Sequence, residues 1–415
     1  MPHDILHLDK FPLGINTVSP ETDLPEGSAR SASNVDLTKE GNVRSRKGYA
    51  KVYAGVKALH SLYKSYFVEG DELKQWDGVT ANTIAVGLHP DKFLAWETIL
   101  GKFYYSDGVN NRIVGNGRWG LPTPAGNPIL GLVTGKLAAG TYQVAICFVD
   151  SITGEIGGAL LASTINAQDG SGILCANIPV HPEGYNVHVY VSTQNGEQLY
   201  KNGTVLNGIT SYTIIDSRKS QQILETQFMS PLPGGHIIRQ YNGRMYCAHD
   251  NVLWFSQPFR YGLKKTSKDF FQFPSKIKIV QPVDNGIFVV AGNTYFLSGR
   301  EPKEFIQTLV SEDDGIEGTG LTLSGDSFGL GFDKNVGFWY STKGAVVGLL
   351  SGELKLLTEN RLALRDQLVR GISLYKEKEG IKQVVSNFSS GGTVSSFGIG
   401  TAVTSQLIRN GIIIL

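Results

Sequence analysis

This chain has little cysteine, little charge and no long apolar run, and each shortage excludes something. Three cysteines in 415 residues, Cys147, Cys175 and Cys247, stand far apart with no C-x-x-C pair. So low and odd a count excludes a disulfide scaffold and suits assembly in a reducing cytoplasm. Charged residues make up 18% of the chain and balance to a formal +1. A protein that grips nucleic acid by its phosphates carries a strong basic excess or a basic stripe, and neither is present. Near-neutrality still suits a surface that lets DNA pass without sticking. No stretch approaches the ~18 apolar residues of a membrane span. The opening MPHDILHLDKF holds acidic residues and no apolar h-region, so no secretory signal is expected. The protein is expected to stay in the cytosol or to leave by a route that needs no signal, such as cell lysis.

Glycine and aromatic residues fill the space. Fifty glycines, against a usual ~7% of residues, are scattered without a collagen-like period among short apolar-aromatic runs. Tyr and Phe, 17 and 19 of them, favour strands. Many short strands joined by tight turns are the expectation, and the fold class is all-β. The length exceeds a usual single core, so the chain holds more than one domain or a repeat.

Four textures follow one another. Residues 1–50 are rich in Pro and Gly and poor in apolar residues, and read as an extended N-terminal arm. From 51 to 122 the chain reads as hairpins, as in HSLYKSYFVEGDELKQWDG (60–78) and DKFLAWETILGKFYYSDGVNNRIV (91–114). Pro-Gly clusters at 119–128 and 229–235 then bracket a stretch of different character. Within it, AGTYQVAICFVDSITGEIGGAL and YNVHVYVSTQNGEQLYKNGTV alternate polar and apolar residues about Gly turns. About seven short strands there point to a fibronectin-like β-sandwich, inserted over 123–228. The first texture returns over 229–415, with Asn242-Gly243 as a hairpin signal and a recurring theme of an aromatic strand, a polar residue and a Gly. Gln75-Trp76-Asp77-Gly78, Tyr105-Ser106-Asp107-Gly108 and Phe296-Leu297-Ser298-Gly299 carry it. At roughly 40–45 residues per blade, the flanking stretches make about six blades of a β-propeller. The apolar end, Ile412 to Leu415, is expected to pair into a sheet, closing the ring or meeting a neighbour.

No catalytic constellation stands out, and the protein is not expected to be an enzyme or to carry a cofactor or metal. His181 and His188 lie seven apart without a further ligand at metal spacing and read as strand histidines. Cys147 and Cys175 could meet across the sandwich, but small buried side chains are the simpler reading. SEDDGIEG (311–318) gathers Glu312, Asp313, Asp314 and Glu317 without the register of an EF-hand loop, and reads as a solvated loop. There is no G-x-S-x-G and no phosphate-binding P-loop, and GNGRWG (115–120) runs into Leu-Pro rather than a helix. Asn202-Gly203-Thr204 is a sequon without a secretory context. Two basic clusters remain. Arg44, Arg46 and Lys47 end the arm, as an inter-subunit or partner contact. Lys264, Lys265 and Lys268 are interleaved with aromatics in YGLKKTSKDFF, as a loop meeting DNA in a channel or a protein partner.

The arm also carries a resemblance. GINTVSPETDLPEGSARSASNVDLTKEGNVRSRKGYAKV resembles the N-terminal signature of the tail nozzle proteins of short-tailed bacteriophages, also called tail hub or packaged-DNA-stabilisation proteins. The matching residues are Gly14, Asn16, Pro25-Glu26-Gly27, Ala29, Asn34-Val35-Asp36, Gly41, Arg46 and Gly48. LAAGTYQVAICFVDSITGEIGGA, QYNGRMYCAHDNVLWFSQP and VTSQLIRNG are similar to family segments as well. Where the family writes R-V-Y-R-S, this chain has His188 and Val191. The resemblance implies a propeller protomer in a hexameric ring below the portal and head-to-tail adaptor. Double-stranded DNA would be held in the lumen and pass through it without sequence specificity. Tail spikes or fibres, and a tail needle or plug, are the further partners, and the place is the virion tail, assembled in the host cytoplasm. Two other readings stand beside it. One is a carbohydrate-binding or carbohydrate-cleaving propeller with Trp76, Trp96, Trp119, Trp254 and Trp339 as platforms, although strand aromatics are usually core. The other is a receptor-binding tail adhesin with the sandwich as binder.

Overall fold

The computed structural model describes residues 10–32, 35–37, 41–45, 52–57, 59–90, 92–115, 117–217, 220–359, 361–362, 364, 368–378, 381–389, 404–409 and 412–414. They form strands and, in two places, a single 3-10 turn, at Glu21–Asp23 and Gly325–Phe328. The all-β expectation holds: among the described residues there is no α-helix, and four-stranded antiparallel sheets dominate. The chain divides into two compact units. One comprises Met1–Ala95, Asp250–Val252 and Gln272–Leu415; the other comprises Trp96–His249 and Leu253–Phe271.

The first unit is built from four-stranded sheets in which successive strands lie side by side. One holds Leu59–Tyr63, Tyr66–Glu69, Glu72–Trp76 and Ala81–Ala85. The next runs Ile279–Val283, Gly286–Ala291, Asn293–Ser298 and Ile306–Ser311, and a third Leu321–Ser324, Asn335–Ser341, Gly344–Gly348 and Leu354–Leu356. The last holds Arg370–Lys378, Ile381–Ser389, Thr404–Arg409 and Ile412–Ile414, so the apolar C-terminal strand pairs within its own chain.

These sheets share cores with one another. Strand Asn335–Ser341 is buried from Val336 to Ser341 because both its faces are covered. Its Val336, Phe338 and Tyr340 pack with Val384 of the following sheet, while Trp339 packs with Ile279, Phe288 and Val290 of the preceding one. A strand covered on both sides reads as an unbroken apolar run rather than an alternation, which is how FWY arises here. The last sheet also meets the first: the Arg370 guanidinium sits over the Phe93 ring, 3.9 Å from its centroid, and Phe93 meets His60 edge-on at 5.4 Å.

Turn chemistry recurs between strands. Asp77 Oδ1 accepts hydrogen bonds from the backbone N–H groups of Val79 (2.8 Å) and Thr80 (2.7 Å). Asp107 Oδ1 does the same for Val109 (2.9 Å) and Asn110 (2.6 Å). This is the Asx-turn geometry that makes Asp-Gly a strand punctuator, and it is the physical content of the repeated theme.

Over its described residues the N-terminal segment is not an extended arm. It folds back on itself through three glycines with left-handed backbone, Gly14 (φ 73), Gly27 (φ 79) and Gly41 (φ 82). Gly14–Ile15 pairs in parallel with Ser28–Ala29, and the N–H of Phe11 donates to the carbonyl of Gly41 at 2.7 Å. Asn16, nearly buried, accepts from the N–H groups of Val18 and Ser19 at 3.0 and 2.9 Å and so fixes the turn. Val35–Leu37 pairs with Val43–Ser45. The folded segment then docks on the same unit, where the N–H of Thr17 donates to the carbonyl of Arg361 at 2.8 Å.

Apart from Ala95, Val252 and Gln272, the second unit holds a sheet of Ala95–Ile99, Lys102–Ser106, Asn111–Ile113 and Gly117–Arg118, and another of Ile237–Tyr241, Arg244–His249, Val252–Phe255 and Phe270–Gln272. Between them in sequence lie seven strands in two facing sheets. Ile129–Leu137, Ser171–Ala176 and Ser211–Ile214 form one; Gly140–Val149, Ser163–Ala167, Asn186–Ser192 and Leu199–Val205 form the other. Val144, Ile146, Phe148, Ile173, Cys175 and Val189 fill the space between the sheets. The outer face of the four-stranded sheet is covered too, by a layer of Ala145, Cys147, Tyr190, Leu199 and Leu224. Cys147 and Cys175 therefore belong to separate layers and act as small buried apolar side chains.

The chain that leaves the first sheet at Arg118 returns to it after the sandwich. The Asn111 amide donates to the carbonyls of Leu232 and Pro233 at 3.1 and 3.0 Å, and Ser106 Oγ accepts from the N–H of Gly235 at 2.9 Å. Glycines let the two passages touch: a Cβ on Gly158 would lie 1.9 Å from the carbonyl oxygen of Met229, and one on Gly262 would lie 2.2 Å from the nitrogen of Gly120. Gly158→Ala is expected to destabilise the second unit by at least about 1–3 kcal/mol. The check is a thermal melt alongside limited proteolysis of the turn at 150–155; unchanged melting and unchanged cleavage would contradict the packing.

Candidate functional site

The basic cluster at 261–271 is only partly a surface. Lys264 and Lys265 lie on the short strand Leu263–Lys265, which pairs with Met229–Pro231. Lys264 is 6% exposed; its ammonium lies 3.9 Å from the centroid of Trp254 and hydrogen-bonds Ser230 Oγ at 3.3 Å. Burial pushes its pKa down and Asp269 pulls it back up. An ammonium spent on an aromatic face and a hydroxyl within the fold is poorly placed to meet phosphate. Lys265 is half-buried, and its N–H donates to Asp269 Oδ2 at 2.5 Å. Lys268 alone of the three is exposed. Lysine is seldom buried without such a partner, and the sequence signal for the buried one is Trp254, ten residues upstream.

Arg44 is exposed on strand Val43–Ser45, opposite Asp36 in the ladder. Arg46 and Lys47 lie outside the described residues.

The acidic loop at 311–318 is an ion-paired joint rather than a free carboxylate cluster. Lys343 pairs with Asp313 at 2.7 Å, Lys278 with Asp314 at 2.5 Å, and Lys276 and Arg370 with Glu317 at 2.7 and 3.0 Å. Ammonium and guanidinium groups occupy the oxygens a cation would need. Among the described residues no group of three or more His, Cys, Asp or Glu side chains is arranged to hold a metal.

The histidines are held apart. His181 stacks on Tyr185, centroids 4.8 Å apart, and its Nδ1 accepts from the N–H of Glu183 at 3.2 Å. His188 is buried with Nε2 2.9 Å from the Lys201 ammonium; burial and that charge lower its pKa to about 4. A neutral ring accepting from Lys201 satisfies this geometry. Among the described residues Glu155 stands out: burial raises its pKa, to about 7, against the opposing effect of the hydrogen bond from the N–H of Gly120 at 2.7 Å. Glu69, 1% exposed, is the reverse. Burial would raise its pKa, but the Lys74 ammonium at 2.5 Å, the Tyr53 hydroxyl at 2.7 Å and the N–H groups of Lys57 and Val56 hold it near 2. It fastens the 53–57 segment to its sheet.

Some exposed apolar side chains stand on edge strands. Ile306 and Leu309 are 67% and 51% exposed on strand Ile306–Ser311, the edge of its sheet. Ile372 and Leu374, 42% and 61% exposed, share one face of strand Arg370–Lys378, again an edge. Such residues mark contact surfaces more readily than sites of chemistry.

No protein-family model matches the sequence, and no curated protein matches it. Among solved structures, a crystal structure of BBS1N in complex with ARL6DN, soaked with lead, is similar over 86% of this chain and 93% of that one, at 11% identity and a TM-score of 0.33. The mercury-soaked crystal of the same complex gives the same coverage and TM-score at 10% identity.

Glu155 and His188 lie in the same unit and act oppositely on its stability. Glu155, with its folded pKa raised to about 7, adds stability at low pH that is lost as pH rises from 4.5 to 7. His188, with its folded pKa lowered to about 4, adds stability above 6.5 that is lost as pH falls toward 4. Each amounts to roughly 3 kcal/mol at most, so the two nearly cancel. In Glu155→Gln only the histidine effect remains, and the melting temperature of this unit is expected to fall steeply between pH 6.5 and 4. Equal pH profiles for the variant and the parent protein would contradict this.

Proposed function

We propose that the protein is a structural subunit of the tail nozzle of a short-tailed bacteriophage. In this reading it is not an enzyme. Six of its four-stranded sheets, four in the first unit and two in the second, are the blades of a β-propeller, and the seven-stranded sandwich is an insertion between two blades. Six copies form a ring below the portal and adaptor, the lumen conducts the genome, and spikes, fibres or a needle attach to it.

The observation that carries the proposal is what the N-terminal signature residues do. Gly14, Gly27 and Gly41 take left-handed backbone that L side chains rarely adopt. A Cβ at Gly41 would lie 2.6 Å from the nitrogen of Pro12, and one at Gly27 would lie 3.1 Å from the Pro12 ring. Asn16 caps the turn that follows. Gly14, Asn16, Gly27 and Gly41, four of the positions that resemble the nozzle signature, thus have a physical reason to be the residues they are in this fold. Exposed apolar edges at Ile306, Leu309, Ile372 and Leu374 support assembly with other chains, since such residues are costly to leave in water. The near-neutral chain suits a channel wall: few counterions are released on contact, so DNA is held weakly and slides. Retention then depends on a constriction or plug.

The test is an epitope placed in the exposed turn at Asn207-Gly208 of the sandwich and gold-labelled on intact virions. Label at the distal end of a short tail, projecting sideways, is the expected outcome. Label on the capsid shell, or virions that lack the protein, would overturn the proposal.

A further inference from the structure

Three carboxylates tie the seven-stranded sandwich of the second unit to the parts of that unit beside it, and one of them is unlike the other two. Glu183 meets the Arg118 guanidinium at 2.7 Å, and Glu225 meets that of Arg260. Each of these negative charges has its own cation. Glu155 has no ion-pair partner among the described residues, and its side chain accepts from a backbone N–H instead, that of Gly120 at 2.7 Å.

Three passages of the chain converge on this carboxylate. Glu155 ends a turn that starts at Asp150, whose N–H donates to the Glu155 carbonyl at 2.9 Å and whose Oδ1 accepts from the N–H of Ile152 at 2.8 Å. Gly120 belongs to the segment that enters the sandwich. Gly262 closes the other side, where a Cβ would lie 2.5 Å from Glu155 Oε1. The carboxyl group fills the space that two glycines leave open, and it stays partly exposed, so solvent protons reach it.

The groups that face it do little to hold a negative charge. Asp150, on its own turn, repels one. Lys102, on strand Lys102–Ser106, attracts one without forming an ion pair. Tyr104 on the same strand, with Tyr261 beside it at 6.0 Å between ring centroids, is a phenol kept neutral by burial. Burial and Asp150 together outweigh Gly120 and Lys102, and the carboxyl titrates at about 7 instead of 4.5.

We propose that the root of the sandwich is a pH-operated joint, in which protonated Glu155 seats the turn 150–155 against Gly120 and Gly262 and loss of that proton releases the turn into solvent. The seated form has its full advantage below 4.5, where glutamate is protonated in either form, and loses it as pH rises through about 7. Arg118 and Arg260 stay charged throughout, so their pairs still tether the sandwich and the movement is local. The joint does not depend on the nozzle reading.

The experiment is hydrogen–deuterium exchange of the full chain at pH 5 and pH 8, corrected for intrinsic exchange rates, with peptides covering 117–122 and 150–157. Opening of both peptides is expected to rise roughly 70-fold over that range, the ratio required by titration at 4.5 when open and about 7 when seated. Strand Asn186–Ser192 opens only with the whole sandwich, which also frees His188; the two opposing titrations should leave its protection within about threefold. Glu155→Gln, neutral and of the same size, should keep the turn seated at both pH values. Asp150→Asn keeps an acceptor for the turn and removes the repelling charge, so the rise should shrink. The proposal is overturned if both peptides exchange alike at pH 5 and 8, or rise only in step with strand Asn186–Ser192. It is overturned equally if Glu155→Gln or Asp150→Asn shows the full rise of the parent protein.

Discussion

Aromatic rings seated over glycines hold the sheets together, and the rest of the structure depends on that fit. Phe288 lies 5.3 Å from Trp339 and 4.6 Å from Phe296, centroid to centroid. A Cβ on Gly348 would stand 2.5 Å from the Phe288 ring, and one on Gly352 or Gly286 would stand 2.5 or 2.7 Å from the Phe296 ring. Large rings need neighbours without side chains if strands are to pack at interior density. Fifty glycines and 36 Phe and Tyr residues are thus two halves of one packing solution. Strands such as Gly286–Ala291, Asn335–Ser341 and Gly344–Gly348 are covered on both faces and hold no charged residue.

How far this was legible depends on the range of the interaction. Hairpins were readable because their cause is local. Asn195 and Asn242, each before a glycine, take φ 53 and φ 43 as the tight turns require, and Asp77 and Asp107 bond their own backbone. The seven strands between 129 and 214 showed through alternation and turn spacing. The N-terminal segment misled because its partners are remote in sequence: Gly27 serves Leu13 and Gly41 serves Phe11. Sparse apolar residues then read as an extended arm, although backbone pairing folds it. Lysine chemistry hid the burial of Lys264, since only a partner such as Trp254 reveals that a cation is covered.

The perturbed titratable groups among the described residues are taken up in packing. The acidic loop is neutralised by lysine and arginine, the buried histidines are kept neutral, and the three cysteines are buried with their thiol pKa values pushed up to about 12. Several titratable groups hold joints within the fold: Glu69 on its sheet, Glu155 at the root of the sandwich, Arg370 over Phe93. Outward-facing apolar side chains stand on two edge strands, Ile306 and Leu309 on one and Ile372 and Leu374 on the other.

The central claim is that these edges close on copies of the same chain. Native mass measurement of the purified full-length protein tests it most directly. The account predicts a discrete species of six chain masses, a closed ring from one repeated interface. A protein that stays monomeric at high concentration, alone and with portal and adaptor added, would contradict it.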